Sequence, residues 1–556
     1  MEYYLFIGII VLVCIFAAIK GFFDQKKHKN NFMERCKREY GQYPDKDYNP
    51  EQYASISQYD EKHRNAVHID DITWNDLEMD RLFRMMNMTY SSAGEEYLYH
   101  ILRTPKMSAE ELTSMEALID YFMTHEDDRV QMQVLFASLG KTGKFSLYNY
   151  LDYLDNLGYR SNKKQIIVNL LYVVALLLAP LSITVSIALL AGLVCYNMAT
   201  YFKEKSEIAP YIVSFHYIMR LLHSVDRMQS LTIAPIASYK ESLLHCRQQL
   251  RNFTKRAQLA MVDSASGNPF DFLLDYVKMI FHIDIMKFNT MLSEIKQKTD
   301  SVDEMVRIFG YIESCIAIGS FRTGLPFYCT PTFGSNTQIK IEDAYHPYLT
   351  DAIANSIEAK RGVLLTGSNA SGKSTFLKTI ALNAIMAQTV HTVAAKQMET
   401  SYYHIYSSMS LRDDLSGGES YYMVEIKSLK RILDAAGDKE CTPVLCFVDE
   451  VLRGTNTVER IAASTQILQS LARPEVICFA ATHDIELTTL LKQTYDNYHF
   501  TEEVIDGDVL FSYKLLDGSA TTRNAIQLLS MIGYQKDIIE SAAKMAETFV
   551  DTGQWH

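Results

Sequence analysis

The sequence predicts a C-terminal α/β domain that follows a long helical region with three membrane-spanning helices built into it. Three observations predict this fold class. A glycine-rich segment at 367–374 lies between a short apolar run and a helical pattern, helical spacing of apolar residues dominates 63–160 and 206–320, and two long stretches carry no charge. The chain has 556 residues, which is enough for several domains. Apolar residues make up 48% and charged residues 22%, which excludes a largely disordered protein.

The charge balance argues against one broad class of function. Asp and Glu number 66 against 54 Lys and Arg, a net charge of −12, whereas a general nucleic-acid coat protein carries the opposite sign. A local basic patch stays open, because the basic residues at 247–256 form either a solvated helix face or a DNA-contacting one. The nine cysteines include no Cys-x-x-Cys pair, so we expect reduced thiols and no metal cluster.

The first uncharged stretch, 3–19, predicts an N-terminal transmembrane anchor within residues 1–24. Its 17 residues are at the short end for a spanning helix. Lys20, Lys26 and Lys27 follow the stretch, while Glu2 precedes it. The positive-inside rule therefore places the N-terminus outside and the following chain in the cytoplasm. The alternative, a cleaved signal peptide, carries its positive charges in front of the apolar run instead.

The second uncharged stretch, 165–202, predicts a transmembrane hairpin. As one helix its 38 residues would measure about 57 Å, nearly twice a hydrocarbon core of roughly 30 Å. A turn near Pro180 and Ser182 would divide it into two spans. Basic residues flank both ends, so both ends are expected in the cytoplasm. The alternative is a buried helical pair in a soluble core. With the anchor, the hairpin predicts a multi-pass plasma-membrane protein with a large cytoplasmic body.

Composition and periodicity divide the rest of the chain. Residues 25–62 are polar, basic and rich in tyrosine, with a turn signal at Pro44. Ser108 and Glu111 form a predicted capping box that opens a helix. The resulting division is an anchor at 1–24, a juxtamembrane linker at 25–62, a helical segment at 63–164, the hairpin at 165–202, a second helical segment at 203–304 and the α/β domain at 305–556.

The most specific motif is a phosphate-binding loop. The pattern Gly-x4-Gly-Lys-Ser is matched by Gly367-Ser368-Asn369-Ala370-Ser371-Gly372-Lys373-Ser374. The apolar run 363–365 precedes it and a helical pattern follows it, as such a loop requires. Backbone N–H groups and the helix N-terminus bind the phosphates of ATP, Lys373 neutralises the outer phosphates, and the Ser374 hydroxyl can ligate Mg²⁺.

Two further apolar strands end in polar residues. The run 444–448 leads into Asp449 and Glu450, and the run 476–481 leads into His483. Asp449 suits a second Mg²⁺ contact, and Glu450 can deprotonate an attacking water. His483 can hydrogen-bond the γ-phosphate or that water. The ends of parallel strands meet at one edge of a doubly wound sheet, so we expect these groups to lie together.

A second anion-binding turn lies between the first two motifs. Ser416-Gly417-Gly418-Glu419-Ser420 leads into a predicted helix, whose free N–H groups favour an anion. One chain has no second nucleotide to place there. We therefore expect Ser416, Gly417, Gly418 and Ser420 to cover the nucleotide of a partner subunit in a homodimer.

These motifs, in this order, resemble the ATPase domain of the DNA mismatch repair MutS family. The resemblance covers roughly 305–545 and is carried by the runs 366–375, 413–425, 449–457 and 481–487, with weaker similarity at 74–77 and 91–103. It implies an ABC-type P-loop ATPase domain that also uses Thr375 for ATP, an all-α core and lever built from 63–164 and 203–304, and often DNA binding.

The chain departs from the family pattern in three respects. Its signature segment reads Ser-Gly-Gly-Glu-Ser rather than Ala-Ser-Gly-Arg-Ser, its membrane spans fall within the helical core, and it is expected to lack the N-terminal mismatch-reading domain. The main hypothesis is a membrane-anchored ATPase coupled to DNA binding. The alternatives are an ABC-like machine acting on a protein, lipid or small molecule, and a nucleotide-gated scaffold with little turnover. Glu450 argues against the scaffold.

Overall fold

The chain forms two compact units, which are described separately. The first unit comprises 1–63, 87–100 and 117–320, and the second comprises 64–86, 101–116 and 321–556. A computed structural model of the chain describes residues 16, 20, 23–24, 26–44, 46–143, 145–156, 158, 160–254, 276–368, 371–409, 421–441, 443–453, 455–505, 508–520, 526, 529, 533–552 and 554.

The first unit is built from helices. Residues 26–39 are helical, and the other helices lying wholly or partly in this unit include Pro50–Ile56, Gln58–His63, Ser92–Arg103, Ala109–Thr124, Glu126–Leu139, Leu147–Asn156, Lys163–Leu177, Ile183–Gln229, Ala237–Gln249, Ile283–Gln297 and Thr299–Gly324, with a 3₁₀ turn at Ala234–Ile236. Two glycines set the closest helix packing. A Cβ at Gly94 would lie 2.1 Å from Glu313 Oε2, and a Cβ at Gly310 would lie 2.5 Å from Tyr97 Cβ. These helices therefore approach as closely as glycine permits.

Residues 25–62, expected to be a juxtamembrane linker, contain packed structure. Helices Pro50–Ile56 and Gln58–His63 lie in this segment, and the side chains of Cys36 and Tyr59 are buried in the first unit. Short helices with one or two buried side chains carry little periodic signal, so the polar composition concealed them.

The hairpin predicted at 165–202 is present as two helices, Lys163–Leu177 and Ile183–Gln229, joined by a turn at 178–182. Ser186 Oγ donates a 2.7 Å hydrogen bond to the carbonyl of Ala175 and ties the two helices together.

One of the three predicted membrane spans has the length and hydropathy of a spanning helix in the structure. Among the described residues one helical stretch, Ile183–Ile208, is long and apolar enough to cross a membrane. The helix Lys163–Leu177 has 15 residues, fewer than the roughly 20 of a full span. The predicted anchor at 3–19 lies outside the described residues apart from Phe16.

The hairpin exposes apolar side chains. Its most exposed ones are Leu177 at 71% and Leu181 at 83%. Other large apolar side chains of the hairpin that are exposed are Ile166, Ile167, Leu170, Leu171, Val173, Val174, Leu176, Ile183, Val185, Ile187 and Leu189. A continuous apolar surface of this kind differs from the isolated exposed apolar residues of ordinary soluble surfaces.

Two asparagines of the hairpin bind a distant backbone segment. Asn169 Nδ2 donates to the carbonyl of Phe281 at 3.0 Å, and Asn197 Nδ2 donates to the carbonyl of Ile280 at 2.6 Å. These carbonyls precede His282, whose left-handed backbone (φ 53°) precedes the helix Ile283–Gln297. The amides thus satisfy carbonyls at a helix break.

The second unit contains the sheets. Its strands are β1 (Thr332–Phe333), β2 (Ile339–Ala344), β3 (Asn355–Ala359), β4 (Gly362–Thr366), β5 (Gln397–Thr400), β6 (His404–Ser408), β7 (Val444–Asp449), β8 (Val476–Ala481), β9 (Tyr495–His499), β10 (Glu502–Ile505), β11 (Asp508–Phe511) and β12 (Leu516–Asp517). The central sheet has the order β12-β9-β4-β8-β7-β6 and is parallel except for the β12 edge. A four-stranded sheet, β1-β5-β2-β3, and the hairpin β10-β11 complete the strands.

The second unit also contains helices. They are Asp71–Asp76, Met79–Met86, Lys373–Val390, Tyr421–Gly437, Thr457–Leu471, Glu486–Leu490 and Lys536–Thr552, with a 3₁₀ turn at Lys439–Cys441. Every residue of β4 and β8 is buried, as parallel strands covered on both faces are. This arrangement fits the α/β fold class predicted from the sequence.

A segment far upstream also packs on this sheet. Asp76 Oδ2 accepts hydrogen bonds from Ser407 Oγ at 2.7 Å and from Met409 N at 2.9 Å, and Thr73 Oγ1 accepts from Ser407 N at 3.0 Å. The periodicity of 63–164 predicts one continuous helical segment. Helical periodicity identifies a helix but not its packing partner, so it could not assign 64–86 to the α/β unit.

Candidate active site

Three strand ends of the central sheet meet at one edge, as the sequence predicted. Strand β8 lies between β4 and β7, and Ala481 is opposite both Leu365 and Asp449. The peptide N–H of Thr482 donates to the carbonyl of Leu365 at 2.9 Å, and that of Glu450 donates to the carbonyl of Ala481 at 3.0 Å. The backbone therefore fixes the polar residues after each strand next to one another.

Two glycines shape the loop after β4. Gly367 (φ 140°) and Gly372 (φ 108°) have backbone angles that other residues rarely adopt. A Cβ at Gly367 would also lie 2.8 Å from the carbonyl of Phe500, so glycine is needed there on both counts. The helix Lys373–Val390 begins directly after Gly372 and directs its free N–H groups to the loop.

The ammonium of Lys373 is held by the loop itself. Lys373 Nζ donates to the carbonyls of Gly367 at 2.7 Å and Ser368 at 2.8 Å, and the side chain is buried. A buried cation at a helix N-terminus is an anion-binding arrangement.

Glu450 lies next to His483 and Arg453. Glu450 Oε1 is 2.9 Å from His483 Nε2, and Oε2 pairs with Arg453 Nε. Burial alone would raise the pKa of the Glu450 carboxyl, but the His483 hydrogen bond and the charge of Arg453 hold it below its usual value. The carboxylate is therefore ionised at neutral pH and available as a proton acceptor.

These groups share one cavity of about 550 Å³. Its lining residues come from the phosphate loop, from the segment 344–355, from Tyr513 and from Glu450 and its two partners. The size is that of a small-molecule site. A second cavity of about 250 Å³ shares Glu450, Arg453 and His483 with it.

The structure brings most of the predicted site residues together. The ones that line the larger cavity are Ser368, Gly372, Lys373, Ser374, Thr375, Glu450 and His483. Gly367 and Ser371 belong to the same loop, and Asp449 directly precedes Glu450. The predicted residues outside the described part of the chain are Asn369, Ala370, Ser416, Gly417, Gly418 and Ser420.

Comparison with known proteins identifies this unit. The family model for MutS domain V matches residues 363–550, which include the phosphate loop, Glu450 and His483. Residues 363–550 of this chain are therefore a MutS domain V. Domain V is an ATPase domain, so 363–550 is the ATPase part of this chain.

Individual MutS proteins show how far the similarity extends. The DNA mismatch repair protein MutS of Thermus thermophilus is 30% identical over 262 residues, which cover 46% of this chain and 31% of that protein. MutS of Thermotoga maritima is 28% identical over 270 residues, 47% of this chain and 33% of that protein. MutS 2 of Haloarcula marismortui is 31% identical over 259 residues, which cover 41% of this chain and 27% of that protein. The matched part spans about a third of these relatives.

The cavity also contains residues to which the sequence motifs assign no role. Asn355 Nδ2 donates to the carbonyl of Tyr513 at 2.9 Å, and Asn355 Oδ1 accepts from Leu515 N at 2.9 Å, which fixes Tyr513 at the cavity. Burial lowers the pKa of His346 to about 4, so this imidazole is neutral at neutral pH. The sequence alone gives His346 and Tyr513 no role, because it does not show that they line the same cavity.

Within the described residues, no group of three or more His, Cys, Asp and Glu side chains could hold a metal ion. A divalent cation at this site would therefore be bound by fewer than three such side chains, together with other oxygen ligands. The Asp449 carboxylate and the Ser374 hydroxyl are oxygen donors of the kind Mg²⁺ prefers. Ser374 lines the cavity, and Asp449 directly precedes Glu450, which also lines it.

Proposed function

We propose that the chain hydrolyses ATP to ADP and phosphate, with Glu450 as the general base. One observation carries the proposal: His483 Nε2 lies 2.9 Å from Glu450 Oε1 and 3.4 Å from Lys373 Nζ, so the phosphate-binding cation and the proton acceptor meet at one imidazole. A γ-phosphate bound by Lys373 would therefore lie next to the base.

ATP binding would replace contacts that the loop now makes with itself. The phosphates would take Lys373 Nζ from the carbonyls of Gly367 and Ser368, while the N–H groups at the start of Lys373–Val390 contact the same anion. Tyr513 and Ile353 also line the cavity and would contact the adenine ring of ATP. The tyrosine ring supplies an aromatic surface on which a purine can stack.

Mg²⁺ fits the donors present. Ser374 and Asp449 would hold it, and when bound it neutralises charge that develops on the phosphate oxygens.

Glu450 acts on water in the proposed reaction. A water proton passes to the Glu450 carboxylate, the water oxygen bonds to the γ-phosphorus, and the bond from that phosphorus to the bridging oxygen breaks, leaving ADP and phosphate. In the structure Arg453 and His483 occupy the two oxygens of Glu450. Each carboxylate oxygen keeps a second lone pair, so Glu450 can accept a proton while both contacts stay in place.

Two chains are proposed to complete each other's sites. A two-fold axis would let the segment 416–420 of each subunit reach the other's nucleotide, with Ser416, Gly417, Gly418 and Ser420 supplying hydroxyl and N–H groups to the γ-phosphate. A mixture of a Lys373→Ala chain and a chain altered at Gly418 and Ser420 tests this. One site of the mixed dimer carries both defects and the other carries neither, so about half of wild-type activity should return. As controls, each mutant is also paired with a wild-type chain. If these control dimers are active but the mixed mutant dimers are inactive, the segment acts in the site of its own subunit.

The client proposed for the ATPase is DNA, because the relatives are named DNA mismatch repair proteins. The ATPase rate of the purified chain, measured with and without duplex, mismatched and branched DNA, tests this. Stimulation by DNA supports the proposal. A rate indifferent to all three kinds of DNA contradicts it.

A membrane-anchored machine acting on a protein, lipid or small molecule is the second candidate. The exposed apolar hairpin at 163–208 supports a membrane anchor for this candidate, as it does for the DNA-coupled ATPase. In this arrangement the hairpin and the segment 3–19 anchor the chain in the plasma membrane, with the N-terminus outside and the ATPase part in the cytoplasm. A reporter near Ser182 should then read exterior and one at the C-terminus cytoplasmic. A cytoplasmic reading at Ser182 would exclude the spanning hairpin.

A further inference from the structure

We infer that Glu425 is a positioning residue for ATP hydrolysis, because it holds the backbone turn that carries Glu450 and Arg453 and ties this turn to the helix Tyr421–Gly437. The inference rests on the proposed role of Glu450 as the base. Glu425 lies outside the cavity and touches no reacting atom, so its effect passes through the turn.

The contact is made by one buried carboxylate. Glu425 is only 2% exposed, and its Oε1 accepts hydrogen bonds from Leu452 N at 2.5 Å and from Arg453 N at 3.3 Å. Among the described residues, its Oε2 has no hydrogen-bond partner. A carboxylate removed from water is costly unless it is hydrogen-bonded, so these two backbone donors are what stabilises it there.

The turn needs an external anchor. Glu450 (φ 61°) and Leu452 (φ 60°) both have left-handed backbones, which side chains other than glycine adopt only when surrounding structure holds them. Glu425 supplies that hold at the second of the two strained residues. Burial raises the pKa of the Glu425 carboxyl and the two N–H donors oppose the shift, but Oε1 accepts a hydrogen bond in either protonation state.

The same contact connects two parts of the proposed machinery. Arg453, whose N–H binds Glu425, places its side chain on Glu450. The helix that carries Glu425 begins at Tyr421, directly after the segment 416–420 that is proposed to reach the partner's nucleotide. A shift of this helix therefore moves the backbone that sets Glu450 and Arg453.

Three substitutions separate a positioned acceptor from a required charge. Glu425→Gln keeps a carbonyl oxygen at the same reach, Glu425→Asp keeps the charge but is one methylene shorter, and Glu425→Ala removes both. Lys430→Ala, at an exposed side chain of the same helix, is the matched control. Purified chains are compared for kcat, KM, ATP affinity and thermal unfolding, with Glu450→Gln in parallel.

We expect Glu425→Ala and Glu425→Asp to lower kcat by about 10²-fold, the effect of a misplaced catalytic group, while KM changes little. Glu425→Gln and Lys430→Ala should stay within about 3-fold of wild type, since neither displaces a hydrogen-bond acceptor from the turn. The inference is wrong if Glu425→Asp is active and Glu425→Gln is not, because charge would then be the requirement. It is also wrong if Glu425→Ala turns over normally. If Glu425→Ala does not fold, the Gln and Asp variants decide. Normal turnover by Glu450→Gln would instead contradict the proposed function itself.

Discussion

The active site and the apolar hairpin differ in whether their side chains find suitable partners within the chain. In the site, charged groups are paired within the chain, Lys373 with loop carbonyls and Glu450 with His483 and Arg453. In the hairpin, Leu177 and Leu181 point away from the protein and remain mostly exposed. The charged groups of the site therefore have partners within the chain, whereas the hairpin surface needs an apolar environment that the described residues do not supply.

The largest expected effect tests the environment of the hairpin. Leu170 and Val174 are exposed on one helix face, and each Asp there costs about 2.5–3.5 kcal/mol if the face lies in lipid. The double variant Leu170→Asp, Val174→Asp should therefore lose its retention in lipid vesicles after an alkaline wash. Leu244→Asp, at an exposed position of another helix in the same unit, should keep it. A wild-type chain that washes off the vesicles would show that lipid does not supply the apolar environment of the hairpin.

Glu450→Gln tests the paired charges of the site. The amide keeps the size of the side chain but cannot accept a proton, so kcat should fall by roughly 10²–10⁴-fold while ATP still binds. Single-turnover ATP hydrolysis measures this, with the exposed Glu475→Gln as control. Near-normal turnover would assign the base elsewhere, with His483 the next candidate.

Lys373→Ala should have a smaller but distinct effect. Loss of a charge-assisted contact of about 1.5–3 kcal/mol weakens ATP binding by roughly 10- to 150-fold. Titration with a fluorescent ATP analogue measures the affinity. Lys396→Ala removes an exposed lysine of the same unit and should bind normally. Equal affinities for the two variants would contradict the phosphate-loop assignment.

The smallest effect concerns an ion pair away from the site. Glu116 accepts two 2.7 Å hydrogen bonds from Arg322 and lies 2.8 Å from His391 Nδ1. Burial alone would raise the pKa of Glu116, but Arg322 and His391 lower it from 4.5 to about 2. A lowered carboxyl pKa stabilises the folded state above pH 4.5, and this contribution is lost as the pH falls toward 2.

Thermal unfolding between pH 6 and pH 2 measures that contribution. The unfolding temperature of wild type should drop by a few degrees more than that of Glu116→Gln over this window, since about 1 kcal/mol moves it by roughly 2–4 °C at this domain size. Glu110→Gln, at an exposed side chain of the same helix, should follow wild type. Parallel curves for all three chains would show that the charges are not coupled to folding.

The sequence predicts which residues lie together where a motif places a particular residue type at the end of a strand. Gly367, Lys373, Glu450 and His483 could be placed in one site because each follows or caps a buried strand of a parallel sheet. Contacts between distant parts of the chain had no such pattern. Asp76 and Ser407 are 331 positions apart, so their hydrogen bond left no periodic trace.

Glu425 shows the same limit within the site. Its motif position was recognised, but its contact with Leu452 depends on two left-handed backbone angles that residue types do not indicate. Ser416 to Ser420 remains a prediction, because it lies outside the described residues.

The hydrogen bonds between the hairpin and the helix break at His282 have a consequence for biosynthesis. Asn197 precedes its acceptor Ile280 by 83 positions, and Asn169 precedes Phe281 by 112. At about 5–20 residues per second, a ribosome needs roughly 6–22 s to add 112 residues. Until residues 280 and 281 have been added, the two amides must bond to water or to another molecule. The hairpin therefore reaches its final hydrogen bonding only after the chain has been synthesised past residue 281, and truncation before that point should yield a hairpin that chaperones or proteases recognise.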